Sequence, residues 1–261
     1  MFDEPVESLW PSESPRKTFN FHLPYTENYM DTVDQQNALR QAAQKRIKAS
    51  HALDGDADRL AQYYREWADS YELDVAGERY CGPSIVAELA GVAQAAYIGS
   101  DRAATAILDA GCGTGLVGIQ LEHLGFRLID GFDLSGAMAE MARQTGVYRN
   151  VEDGIDLNRP LSDYSSASYD VTVCCGVFTL GHVHPDGLRE LARVTRPNGF
   201  VIASTCKSSA GAMSFEVQVL SLQEAGVLTP AQCLNGGRFL GEEDAHYWVL
   251  RVLDKPAELR L

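Results

Sequence analysis

The sequence predicts an α/β fold, a mostly parallel sheet with helices on both faces, and three observations carry that expectation. From about Gly99 onward, short apolar runs bounded by turn residues alternate with helical windows. One of those runs opens into alternating glycines, Asp109-Ala110-Gly111-Cys112-Gly113-Thr114-Gly115, ahead of a helical window. The 261 residues, 45% hydrophobic and 22% charged, have the proportions of a globular chain with ample core.

Met1 to Pro24 holds Pro5, Pro11, Pro15 and Pro24 among Trp10, Phe19 and Phe21, and reads as an irregular arm. Residues 29–48 read as a helix with Leu39, Ala42, Ala43 and Ile47 on one side. Residues 51–58, with Gly55 and three aspartates, break that pattern as a linker. An N-terminal helical extension of residues 1–58, suited to a lid or to homodimer formation, therefore precedes a domain of residues 59–261.

The domain opens with helices at Leu60–Tyr71 and Pro83–Ala96, the proline suiting a first helical turn. Strand and helix then alternate: Thr105–Ala110 and Leu116–Leu124, Arg127–Asp133 and Gly136–Gln144, Tyr169–Cys175 and Pro185–Thr195, Phe200–Thr205 and Met213–Ala225. Ala245–Leu253, rich in aromatic and branched residues and followed by no helix, reads as an edge strand.

Charge and targeting signals narrow the function. With 22 basic against 36 acidic residues the formal charge is −14, which repels phosphate backbones and anionic bilayers. No run approaches the roughly eighteen apolar residues of a membrane span, and Met1-Phe2-Asp3-Glu4-Pro5 lacks the features of a signal peptide. The expectation is a soluble, cytoplasmic protein whose substrate is neither nucleic acid nor membrane. Six cysteines without a C-x-x-C pair read as small buried hydrophobes, with no metal site.

The glycines permit a tight turn and close approach of a ligand to backbone amides, and the following helix N-terminus favours negative charge. Asp133 lies twenty residues after Gly113, at the end of the next predicted strand, where a carboxylate accepts hydrogen bonds from ribose hydroxyls. Gly113-Thr114-Gly115-Leu116-Val117-Gly118 also satisfies G-x-G-x-x-G, so spacing alone leaves NAD and S-adenosylmethionine both open.

Asp109, two residues before Gly111, tips the balance, because the string D-A-G-C-G-T-G resembles the first motif of class I S-adenosylmethionine-dependent methyltransferases. The resemblance continues through Gly131-Phe132-Asp133-Leu134-Ser135, Ser168-Tyr169-Asp170-Val171 and Leu191-Ala192-Arg193-Val194-Thr195-Arg196-Pro197-Asn198-Gly199-Phe200, and covers roughly residues 60–254. Within that superfamily the chain is most similar to the Williams-Beuren syndrome methyltransferase-like group and bacterial small-molecule methyltransferases. Residues 64–75 and Gln223-Glu224-Ala225-Gly226 carry that likeness. Asn198 departs from the residue usual in the turn before strand five, and Tyr80-Cys81-Gly82-Pro83 from the Tyr-Arg-Pro common in these relatives.

The resemblance implies a Rossmann-like, mostly parallel seven-stranded sheet with an antiparallel edge strand. It places Gly111, Cys112, Gly113 and Gly115 against the cofactor's methionyl end, with Asp109 bracing the turn, and gives Asp133 both ribose hydroxyls. Leu134, Ser135 and Met138 belong near ribose and adenine. The pair Asp156-Leu157 reaches the adenine amino group, Asp153 being a competing choice. Gly176 offers a carbonyl, and Tyr64 or Trp67 closes over the methionyl end from a helix that equally suits core packing. Cys112 is not a nucleophile.

Methyl transfer from a sulfonium chiefly needs alignment and exclusion of water, with a base where the acceptor holds a proton. His182, after the fourth predicted strand, and His246, before the last, are the candidate catalytic bases. The extension and residues 207–240 are expected to shape the pocket of a small-molecule acceptor. An NAD-linked oxidoreductase, a protein methyltransferase and a non-catalytic cofactor-binding regulator remain as alternatives.

Overall fold

The computed structural model describes residues 26–254 apart from 51, 54, 100, 180 and 207–209. The arm expected at residues 1–24 lies outside the described residues. The chain separates into two units, Met1–Leu39 and Arg40–Leu261. The first contributes the opening of helix α1, Thr26–Ser50. The expected boundary after residue 58 falls inside the second unit, where Ala43 and Ile47 of α1 are buried and Arg40 pairs with Glu78 at 2.9 Å.

Among the described residues seven strands form one sheet: β1 Ala106–Ala110, β2 Leu128–Asp133, β3 Asn150–Asp153, β4 Tyr169–Phe178, β5 Thr195–Cys206, β6 Leu228–Leu240 and β7 Glu243–Val252. Their order is β3-β2-β1-β4-β5-β7-β6. The first five pair in parallel, whereas β7 runs antiparallel to both β5 and β6. The fold is therefore the mostly parallel, Rossmann-like sheet with an antiparallel edge. One detail is corrected: Ala245–Leu253 was expected to be the edge strand, but β7 is covered on its free side by β6. Residues 228–240 had not read as a strand, because Pro230 and Asn235-Gly236-Gly237 interrupt the apolar pattern. They form the edge with register shifts at those places, where a missing ladder donor and bulges cost least.

Alternate residues feed two cores. Ile107, Ile129, Val171, Val173, Phe200 and Ile202 face α3 (Gly82–Ala93) and α4 (Leu116–His123); Leu108, Phe132, Cys174, Val201 and Ala203 join the core of α6 (Gly187–Val194) and α7 (Ala210–Glu224). α2 (Ala57–Gly77) starts where the Asp56 side chain accepts from Arg59 N–H at 3.0 Å, and buries Leu60, Trp67, Ala68 and Val75. α5 (Gly136–Gln144) packs Ala139 and Ala142 with Val151 of β3 and Cys112. The departure at Asn198 has a local reason. Its φ is +64°, a left-handed conformation that asparagine tolerates better than most residues, and its side chain accepts from Arg251 at 2.7 Å.

The long β3–β4 connection is pinned to α6 by one ion pair. Arg193 donates to Glu190, to the Leu161 carbonyl at 2.8 Å and to the Tyr164 carbonyl at 2.9 Å, while Glu190 accepts the Leu161 N–H at 2.8 Å. The guanidinium holds the Glu190 carboxyl below its ordinary 4.5. A depressed carboxylate contributes stability that is present above its unfolded pKa and lost as pH falls through its folded one. The difference in urea midpoint between the native chain and Glu190→Gln is therefore constant above about pH 5 and shrinks below it. With both side chains partly exposed, it amounts to about 1 kcal/mol or less.

Candidate active site

The carboxyl ends of β1, β2 and β4 open onto a cleft of about 750 Å³, where ligands bind in open α/β sheets. Its lining includes Tyr64 and Tyr71 of α2, Gly111 and Gly113 of the glycine loop, and Phe132, Asp133, Leu134 and Met138 along β2–α5. Ile155, Asp156, Leu157 and Asn158 follow β3, and Cys175, Gly176, Val177, His182 and Val183 come from β4 and the segment after it.

Positive φ at Gly111 (+73°), Gly113 (+55°) and Gly115 (+97°) makes the turn between β1 and α4. A Cβ on Gly113 would meet nothing within 4 Å, so the loop presents bare backbone there. Asp133 braces it: one carboxylate oxygen accepts from Gly113 N–H at 2.9 Å and the other from Ser135 N–H at 2.8 Å. Burial pushes this carboxyl up, and the Ser135, Gly113 and Leu134 amides partly pull it back. Each oxygen retains acceptor capacity toward the cleft.

The predicted residues divide by placement. Tyr64, Gly111, Gly113, Asp133, Leu134, Met138, Asp156, Leu157, Gly176 and His182 line the cleft. Cys112 lines a smaller neighbouring hollow of about 290 Å³ together with Thr114, Tyr80 and Val117; the two share Tyr71, Gly111, Gly113 and Cys175. Burial pushes the Cys112 thiol well up, which leaves it a protonated, poor nucleophile.

The others stand outside both linings. Trp67 packs behind Tyr64 with ring centroids 5.9 Å apart, and its indole N–H donates to Asp74 at 2.7 Å, so the core-packing role describes it. Asp109 is fully buried under the loop, Ser135 begins α5 out of the cleft, and Gly115 precedes α4. Asp153 pairs with Arg143 at 2.5 Å and also lies outside, which favours Asp156 among the two acids. His246 sits in β7 opposite Thr205, away from the lining.

His182 is positioned across the cleft from α2. The Gly55 N–H donates to the Gly181 carbonyl at 2.9 Å, tying the approach to α2 to the β4–α6 segment. Tyr64 Oη then stands 2.8 Å from His182 Nε2. Desolvation holds the Tyr64 phenol above its ordinary value of 10.0. The pair spans 118 positions of sequence, so no spacing signal announced it. Reading also missed Cys175, whose thiol lies 3.4 Å from Tyr80 Oη and is pushed up to about 12 by burial, and Tyr71; both resemble ordinary core residues in the sequence. Among the described residues no group of three or more His, Cys, Asp or Glu is arranged to hold a metal, and no helix is long and apolar enough to cross a membrane.

A glycine loop open to a cleft, an acid at the end of the adjacent strand and an apolar continuation define a protein that binds a nucleoside-containing cofactor. Among the described residues the cleft lining holds two carboxylates and neither lysine nor arginine. That suits a cofactor bearing a sulfonium better than a dinucleotide with its pyrophosphate.

Comparison with known proteins carries this further. Residues 108–203 match the methyltransferase domain family. Methyltransferase-like protein 27 of Homo sapiens is 30% identical over 185 residues, covering 70% of this chain and 73% of that protein. Malonyl-[acyl-carrier protein] O-methyltransferase of Yersinia pestis is 30% identical over 155 residues, 59% of this chain and 52% of that one. Among solved structures, a chain of the complex between the Haloferax volcanii Trm112 methyltransferase activator and a methyltransferase aligns with a TM-score of 0.51 and 15% identity. The alignment covers 73% of this chain and 98% of that chain, a likeness of fold.

The chain belongs to the class I S-adenosylmethionine-dependent methyltransferases. It is an enzyme of that family, and S-adenosylmethionine is its cofactor. The oxidoreductase alternative gives way with it.

Proposed function

We propose that the enzyme methylates a small-molecule acceptor and that His182 serves as the base, through Tyr64. The 2.8 Å contact between Tyr64 Oη and His182 Nε2 on the wall of the cleft carries this reading. Asp133 orients the ribose by accepting from its hydroxyls, and Asp156 accepts from the adenine amino group. Leu134, Met138 and Leu157 flank the base, while the backbone at Gly111, Gly113 and Gly176 receives the methionyl end.

When bound, S-adenosylmethionine supplies an electrophilic methyl group on a sulfonium that leaves as a neutral thioether. The chain's own residues do the rest. Leu60, Val177 and Val183 exclude water from the cleft. The Tyr64 oxygen takes the acceptor's proton as its own proton passes to His182 Nε2, so no tyrosinate accumulates. Burial, which disfavours the phenolate, suits Tyr64 to relay rather than to hold charge.

The apolar lining supports a small acceptor, and the formal charge of −14 supports one that is not nucleic acid. Turnover of labelled cofactor against panels of phenols, carboxylic acids and amines tests the acceptor class; methylation confined to protein in cell extract would overturn it. His182→Ala should lower kcat by about 10²- to 10⁴-fold while the Kd for S-adenosylhomocysteine stays within about twofold. Unchanged turnover would remove the base from the mechanism. A homodimer through residues 1–58 is a separate proposal, supported by Leu39, 70% exposed on α1. Sedimentation of the full chain at two concentrations tests it, and a monomer at both overturns it.

A further inference from the structure

Tyr148, on the connection between α5 and β3, has no part in the chemistry described so far, yet it touches the back of the glycine loop from three sides. Its hydroxyl donates to Asp109 Oδ2 at 2.7 Å and accepts the Gly118 N–H at 3.1 Å. Its ring occupies the space that side chains would take at three glycines. A Cβ on Gly118 would approach Tyr148 ring atoms to 2.3 Å, one on Gly131 to 3.0 Å and one on Gly115 to 3.2 Å. The glycines of α4, β2 and the loop are thus complementary to one aromatic ring. Asp109, fully buried at the end of β1, has no other side-chain partner for its carboxylate among the hydrogen bonds of the described residues, and its Oδ1 accepts none.

We propose that Tyr148 is a positioning residue for the cofactor: it locks the glycine loop from behind by joining Asp109 of β1 to the first turn of α4. The inference rests on the reading that the cleft in front of the loop receives the cofactor. The chemistry is electrostatic as well as steric. Asp109 and Asp133 interact, and both raise the thiol of Cys112 between them. A ligand carrying an ammonium or sulfonium in the cleft is favoured by negative charge on either acid.

Burial drives Asp109 up to about 7, and the Tyr148 hydrogen bond opposes that rise. The titratable groups facing it are Tyr148 from the α5–β3 connection, Cys112 from the loop, Asp133 from β2, and Cys174 and Cys175 from β4. Since the folded-state value lies above the unfolded one, the proton's contribution to stability is complete below about pH 4 and is lost as pH rises through 7. Binding of a cation runs the other way and tightens as Asp109 ionises.

Calorimetry with S-adenosylmethionine from pH 5 to 9, paired with ligand-free thermal melts over the same range, tests the proposal on the full chain. The native protein should bind more tightly as pH rises through about 7. Tyr148→Phe keeps the ring and removes the hydroxyl; it should bind about tenfold more weakly at pH 7 and move the midpoint upward by about one pH unit in both experiments. Asp109→Asn should remove the step near pH 7 from both profiles while the titration of Asp133 persists, and Gly118→Ala, which pushes the ring aside, should weaken binding without removing that step from the melts.

If Tyr148→Phe binds as the native chain does with an unmoved midpoint, the proposal is overturned. Should that variant fail to fold, native-like binding by Gly118→Ala and a step near pH 7 that persists in Asp109→Asn overturn it instead. A native chain that binds no S-adenosylmethionine is a failure of the cofactor reading, and the ligand-free melts still decide the Tyr148–Asp109 coupling.

Discussion

Asp133→Asn should weaken S-adenosylhomocysteine binding by roughly 100-fold while leaving the melting temperature within a few degrees of the native value. The change is isosteric, but it replaces an acceptor by a donor at one of two oxygens that already accept from Gly113 and Ser135 amides. One backbone N–H then faces an NH₂ group, and the capacity to accept from both ribose hydroxyls is gone. Two hydrogen bonds to a charged group, at about 1.5 kcal/mol each, account for about 3 kcal/mol, or roughly 100-fold.

Stability escapes a comparable loss because the native carboxylate is itself costly. Burial raises its pKa, so the native chain loses stability as pH rises through that value, and the amide does not titrate. At pH 8 the variant recovers part of what the misplaced amide costs. Calorimetry and thermal melts on the same preparation check both halves. Native-like affinity would take Asp133 out of the ribose site.

Gly111→Ala should cost both binding and stability. The residue has φ +73°, where a Cβ is strained by roughly 1 kcal/mol or more, and that Cβ would lie 2.4 Å from Val177 Cγ2. Overlap of this kind in packed surroundings costs about 1–3 kcal/mol, and for a chain of this size the total lowers Tm by roughly 5–10 °C. Because Gly111 and Val177 both line the cleft, relief of the overlap distorts the binding surface, and S-adenosylhomocysteine binding should fall below detection at millimolar ligand. Val177→Ala in the same chain removes the overlap but not the strain, so the double variant should regain part of the Tm and be more stable than Gly111→Ala alone. Equal melting temperatures for the single and double variants would show that Val177 is not the obstacle.

Much of the fold was legible in the sequence because its signals are local. The apolar runs ending at Ala110 and Asp133 are strands, the run Tyr169–Cys175 is a strand that continues to Phe178, and the windows at 116–124 and 136–144 are helices of nearly those bounds. Strand β6 escaped because Pro230 and Gly236 are punctuation in a linear reading, whereas at an edge they are tolerated as bulges. The position of β7 escaped with it, since only pairing to β6 makes it an inner strand. His246 was a candidate as a histidine placed before the last strand; it lies within β7 opposite Thr205 and is not among the residues lining the cleft.

The sequence by itself determined the kind of cofactor site. Asp109, the three loop glycines and Asp133 lie within one strand-turn-helix-strand unit, whose geometry short-range backbone rules dictate. Tertiary structure alone decided which side chains stand at the cleft and which stand behind it. Tyr64 meets His182 across 118 positions, Tyr80 meets Cys175 across 95 and Tyr148 meets Asp109 across 39. Each meeting depends on strand order and on how helices cover the two faces of the sheet. Those are set by packing among distant residues, and packing leaves no periodic trace along the chain.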